Sequence, residues 1–262
     1  MTYFGTETQV ALQQRVEELY DWLYSTAGCC HAGRFCGTDD QNRLGWESIE
    51  ASLDRDKVFG FRLRPASERQ EISDRLEALG YQLHTWNVFF ADARDALTPS
   101  QAFLEEPLPA DLDEYVLAPG DSSECALEIQ KFMAHNSISP FSARMLTGEL
   151  GPAATPYIRD GVGRIVACAH AYMPHNRYSA HEKTAWVGLV AVAGQQRGRR
   201  LGSRINARAI SLAIQNLGAH AIYELVASDN DPSRRMVESC GLRLRSDLVC
   251  GLATAEGRRF TK

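Results

Sequence analysis

No apolar run in this chain approaches the ~20 residues of a membrane-spanning helix. The first residues, MTYFGTETQVALQQRVEELY, hold no basic segment leading into an apolar one. A soluble, cytoplasmic protein without a membrane partner is expected. Positive charge is also scarce: 28 Lys and Arg against 33 Asp and Glu give a formal net charge of -5. Nucleic acid is therefore disfavoured as a partner, because neutralising its phosphates needs a broad basic face. The seven cysteines are odd in number and scattered, which suits a reducing compartment better than a disulfide framework. Cys29, Cys30, His31 and Cys36 do cluster, but without the two separated ligand pairs of a zinc ribbon or finger. No metal is expected there; the cluster reads as a Gly-rich loop with small buried thiols.

What is present is a chain of 262 residues, 44% hydrophobic, long enough for a sizeable core and two lobes. Its most informative stretch is VAVAGQQRGRRLG, from Val190 to Gly202. A short apolar strand runs into a Gly/Arg loop that opens directly onto a helix. Gly198 and Gly202 permit a tight turn and close approach of a ligand to the backbone. The first amides of a helix starting near Leu201 have no partners inside that helix and point into the loop. Arg197, Arg199, Arg200, Arg204 and Arg208 add local positive charge. Together these make a phosphate cradle.

The helix from Leu201 to Leu217 carries an apolar stripe of Leu201, Ile205, Ala209, Leu212 and Ala213, and Gly218 ends it. A strand over Ile222 to Val226 follows, then Asp229-Asn230 and a helix closing at Gly241. Further upstream, an amphipathic helix spans Thr8 to Ser25 and a short helix spans Trp46 to Leu53. Strand VFGFRLRP, helix SERQEISDRLEALGY and strand HTWNVFFAD then repeat the pattern of AIYELVAS, NDPSRRMVESCGL and RSDLVCGLA. Two readings stay open, a degenerate copy of the C-terminal lobe or a coincidence of common units. A Pro-containing linker is expected over 97–112, separating an N-terminal α/β lobe (1–96) from a C-terminal domain (113–262). That domain begins with a strand at Tyr115 to Ala118, a helix from Ser122 to Ala134, and a hairpin turning at Asp160-Gly161.

The order strand, phosphate loop, helix, strand, Asn, helix, Gly resembles the GNAT superfamily of acyl-CoA-dependent N-acyltransferases, over about residues 113 to 255. The family motif R/Q-x-x-G-x-G/A falls on Arg197, Gly198, Arg199, Arg200, Leu201 and Gly202, and the second motif on DNDPSRRMVESCGL. Arg200 stands where the first motif glycine is usual, acceptable if its backbone has ordinary helix-start geometry. The resemblance implies an α/β fold with a mixed sheet, acetyl-CoA or another acyl-CoA as co-substrate, and no metal. It implies pantetheine contacts from the backbone of Val190, Ala191 and Val192, pyrophosphate contacts from Arg197 through Ser203, and hydrogen bonds from Asn230 and Ser233. N-capping is the alternative for the last two.

Deprotonating an alkyl amine of pKa ~10.4 at neutral pH costs about 4 to 5 kcal/mol. The family often places a Glu base on the strand before the loop, where this chain has Trp186, and a Tyr acid where it has Val237. Glu182 shares a strand face with Thr184, Trp186 and Gly188 by period-two alternation and is the candidate base; His170, His175 and His181 are alternatives. Trp186, with Phe141 and Met145, forms the wall of an amine site facing HNSISPFSARMLTGELG. The leading expectation is acyl transfer to a primary amine of a small molecule; a homodimer is one assembly open to it, and the sequence does not fix the oligomeric state. An acyl-CoA sensor or pseudoenzyme without turnover, and a protein N-terminal or lysine acetyltransferase, remain alternatives.

Overall fold

Alternating apolar and small side chains in the C-terminal half build a sheet with a helical layer on each face. The computed structural model describes residues 3–120 and 123–255. It opens with helices α1 (Glu7–Glu18) and α2 (Tyr20–Ser25). The single helix expected over this stretch breaks at Leu19, and Tyr20 and Tyr24 then both pack edge-on against His31. Strands β1 (Cys29–His31) and β2 (Cys36–Thr38) form a small hairpin, so the cysteine cluster is strand rather than loop, and its thiols are free and buried. Next come α3 (Gln41–Leu44), α4 (Trp46–Asp56), β3 (Val58–Pro65), α5 (Arg69–Ala78), β4 (Tyr81–Asp92) and α6 (Ala93–Glu105).

The C-terminal half comprises β5 (Leu112–Leu117), α7 (Ser123–His135), α8 (Ala143–Thr147), β6 (Ala153–Asp160), β7 (Ile165–Tyr172) and β8 (Thr184–Val192). It continues through α9 (Leu201–Gln215), β9 (Ala221–Val226), α10 (Asp231–Ser239), β10 (Arg243–Leu244) and β11 (Leu248–Ala255). The expected start of α7 at Ser122 lies outside the described residues. Along β7, Ala167, Ala169 and Ala171 face the core under α9, while Cys168 and Tyr172 face the core shared with α7 and α8. The small residues on the α9 side let that helix lie close to the sheet, with Leu201, Ile205, Ala209 and Ala213 buried against it.

The sheet runs β1-β2-β3-β11-β4-β9-β8-β7-β6-β5. β11 therefore lies between β3 and β4, antiparallel to both. The 12-residue β4 pairs through Tyr81–Trp86 with β11 and through Asn87–Asp92 with β9. The two similar units, β3-α5-β4 and β9-α10-β11, thus exchange their second strands, and the two halves are interlocked through one sheet.

The segment expected as a linker differs. It is helical to Glu105, with Pro99 inside the helix. Proline removes one backbone hydrogen bond and usually kinks a helix, but here burial outweighs that cost. Ala96 and Ser100 are fully buried, and Phe103 and Leu104 pack onto the core beneath α9. Among the described residues no helix is long and apolar enough to cross a membrane.

Phe89, fully buried on β4, carries the packing where the halves meet. Phe89→Ala is expected to destabilise the protein by about 3–5 kcal/mol in urea unfolding. Val162→Ala, at an exposed turn position, should change stability by less than about 0.5 kcal/mol.

Candidate functional site

β8 and β9 run parallel and are matched at Thr184↔Ala221, Ala185↔Ile222 and Trp186↔Tyr223, and no further. The cause lies in β8. Between Gly188, opposite His170, and Ala191, opposite Cys168, it carries one residue more than β7. Leu189 takes up the excess with φ 52°, in the left-handed region. Such a bulge bends its strand away from the neighbour. Gly188 is required beside it, because a Cβ there would sit 2.5 Å from the Trp186 indole. The strands diverge, and the β9-facing backbone groups of the bulged segment are left without a strand partner.

The gap is a cavity of ≈ 290 Å³, lined by Gly188, Leu189 and Val190 on one side and Glu224, Leu225 and Val226 on the other. It shares Ile138, Val190, Ser233 and Met236 with a second hollow over the loop before α9. That loop turns at Gly198, φ 81°. A Cβ on Gly198 would meet only open space, and one on Gly202 would come no nearer than 3.7 Å to Met236 and Val192. The floor is therefore open backbone at a helix N-terminus, suited to an anion. A long, narrow ligand with a phosphate-bearing end fits this path.

Residues 126–242 match the sequence profile of the acetyltransferase (GNAT) family. These residues form a GNAT-superfamily domain. The fold resembles that of a GCN5-related N-acetyltransferase from Kribbella flavida, 14% identical, covering 98% of each chain with a TM-score of 0.58. A Drosophila protein is 14% identical over 95% of this chain and 89% of its own, TM-score 0.58. A tandem GNAT protein from the clavulanic acid biosynthesis pathway is 10% identical over 87% of this chain and 77% of its own, TM-score 0.56. At these identities the likeness is one of fold. No curated protein matches in sequence.

Within the GNAT half, the structure gathers most of the expected ligand-contact positions. Val190, Ala191, Val192, Arg197, Gly198, Arg200, Leu201, Gly202, Ser203 and Ser233 all line the loop hollow. Arg199 does not, being drawn off by Asp111 at 2.7 Å and by Gln196. Arg204 and Arg208 both bond Glu114, so much of the local basicity is neutralised within the protein. Arg200 is not in ordinary helix-start geometry: its φ is 59°, the conformation that explains why glycine is usual at this point. Asn230 lines the cavity, but its side-chain oxygen caps α10 by accepting from the Ser233 N–H at 3.1 Å.

The candidate base falls elsewhere. β8 begins at Thr184, so the strand alternation does not extend to Glu182, which sits in the preceding turn beside a different hollow with Tyr20, Asp21 and Lys183. Trp186 does reach the cavity and packs against Phe141 at 5.9 Å and Tyr172 at 5.5 Å. Met145 lies behind them, in a separate small void. None of the three candidate histidines lines the cavity. His170 bonds Thr155 Oγ1, and burial pulls it down to about 3. His175 bonds Asp39 at 2.6 Å, and its ring lies tilted against that of His181 at 5.5 Å. Cys30, Asp39 and His175 lie within 4.8 Å of one another, behind the cavity rather than in it.

The cavity-lining carboxylate is Glu224, one residue past the last β8–β9 pair and 3% exposed. Burial pushes it up to about 8; the amide N–H of Asn206, donating at 2.8 Å, opposes the shift only in part. The neighbouring Cys240 thiol is itself raised by burial and by the carboxyl beside it. Glu224 is therefore a carboxylic acid that keeps its proton at neutral pH. Sequence pattern could not flag it: in AIYELVAS it reads as the polar member of an alternating strand.

Two outcomes follow. The folded protein holds the Glu224 proton up to about pH 8, whereas the unfolded chain loses it near 4.5. This contribution is full below pH 4.5 and declines as pH rises to 8, by up to about 1.4 kcal/mol per unit. Glu224→Gln should remove that slope from urea midpoints measured across this range. Arg200→Gly should relieve the left-handed strain and raise the unfolding free energy by about 1 kcal/mol.

Proposed function

We propose that this GNAT domain transfers an acetyl or other short acyl group from acyl-CoA to a primary amine of a small molecule. The observation that carries the reading is the continuous path from the loop at Gly198–Ser203 into the gap between β8 and β9. A pyrophosphate would rest on the α9 amides and Arg197, and a pantetheine arm would follow the free edge of Val190 to Val192. The thioester would lie at the bulge, where unpaired backbone N–H groups could stabilise the carbonyl oxygen as the amine adds to it. The enclosing aromatic wall, Phe141, Tyr172 and Trp186, supports a small acceptor over a peptide lying in an open groove.

Glu224 would supply the missing acid. Val237, where the family places Tyr, is fully buried and lines the same cavity as Glu224. A carboxyl near 8 is matched to a thiol leaving group of about 8.5. As the C–S bond breaks, the Glu224 proton passes to sulfur; the proton shed by the new amide nitrogen leaves to water, and solvent restores the carboxyl.

Isothermal titration should show acetyl-CoA binding below millimolar concentration, and a panel of amines should release free thiol. Binding without thiol release would instead favour a sensor. Glu224→Gln should lower kcat by about 100-fold or more and abolish the fall in kcat expected above pH 8, with the KM for acetyl-CoA little changed.

A further inference from the structure

The far end of the cavity is basic in a way the transfer reading does not use. Arg34, in the β1-β2 turn, and Arg62, on β3, both line it, and both are more than nine-tenths buried. Neither has a carboxylate within 4.0 Å among the described residues. Arg62 donates to the carbonyls of Phe61, Gly251 and Ala32, each at 3.1 Å, and Arg34 donates to the carbonyl of Ser139. Backbone carbonyls orient these guanidiniums without cancelling their charge.

The mount is built. β3 carries a bulge opposite Val249 and Gly251, and Leu63 beside it is left-handed, φ 48°. Arg62 is thereby held in place by three elements: its own strand, β11 and the β1-β2 turn. Arg34 lies 6.0 Å from the centre of the Phe141 ring and 5.4 Å from that of Phe35. The positive field of Arg62 also opposes protonation of Arg34, so the two cations feel each other. Burial pulls Arg34 down to about 10, which leaves it charged at neutral pH. His31 nearby adds no third positive charge, since burial holds it neutral at about 4. Glu224 is engaged with Asn206 of α9. Two adjacent buried cations without an anion are costly, because each has given up its hydration. Planar guanidiniums with N–H groups to spare are suited to a carboxylate.

We infer that the acceptor amine also carries a carboxylate, bound by Arg34 and Arg62 at the end of the cavity furthest from the phosphate loop. This rests on the acyl-transfer reading for the amine, but not for the anion. An amino acid would then lie with its carboxylate on the arginines, its carbon chain against Phe141 and Trp186, and its amine toward the gap between β8 and β9. The N-terminal half supplies the selectivity and the GNAT half the chemistry.

The test uses ω-amino acids from glycine to 6-aminohexanoate, the matching amines from methylamine to pentylamine, and phosphoethanolamine, each with acetyl-CoA. Thiol release should favour the best amino acid over its decarboxylated partner by at least 100-fold in kcat/KM. Arg34→Gln should raise KM for that amino acid at least tenfold while leaving KM for acetyl-CoA unchanged; Arg62→Lys should do the same if it folds. The same amino acids should raise the Tm of the wild-type protein without acetyl-CoA, and not that of Arg34→Gln. Thiol release with no carboxylate preference would overturn this inference alone, as would a preference for phosphoethanolamine. A carboxylate-dependent Tm shift with no thiol release would sustain the subsite and sink the transfer reading. Neither signal would overturn both.

Discussion

Everything at the site depends on two parallel strands pairing for three residues and then parting. Had β8 and β9 stayed matched beyond Trp186 and Tyr223, their backbone groups would have satisfied one another and closed the sheet. The bulge at Leu189 prevents this by putting one residue too many into β8. It places a leucine in the left-handed region in the middle of a strand. Strain of this kind persists only where surrounding packing fixes it, here the Trp186 indole over Gly188 and the helix layers on both faces.

The GNAT half was legible in the sequence because its signals are local. The β8 strand, the Gly/Arg loop and the α9 stripe each declare themselves within a dozen residues. The charge around the loop was read too simply. Whether an arginine faces a ligand or a neighbouring carboxylate is settled by Asp111 and Glu114, about 90 residues away in sequence. Pro99 misled for a related reason: a local breaker was overruled by the burial of Ala96 and Ser100 against distant elements.

The residues that give the cavity its chemistry had no local signal. Glu224 looks like any outward-facing strand carboxylate until Asn206 and Cys240 enclose it. Arg34 and Arg62 belong to a half of the chain without a phosphate loop, and nothing in their neighbourhoods separates a buried cation from a solvated one. Alternation read Glu182 as part of β8 because pattern alone does not mark the first paired residue. Each of these residues takes its character from contacts far apart along the chain, and sequence periodicity carries no information about those.

The position of β11 has a consequence for how the protein is made. Its partners on β3 are residues 58–65, so this pairing joins positions roughly 190 apart. Contacts of that separation form slowly, because the entropy of closing so long a loop comes before any gain. While the chain emerges from the ribosome, β3 and β4 lack the strand that belongs between them, and each exposes a row of unpaired backbone groups. The N-terminal half must wait through the synthesis of the entire GNAT half before its own sheet can close. The cavity, bounded on one side by Leu252 of β11, therefore forms only once that strand has docked between β3 and β4.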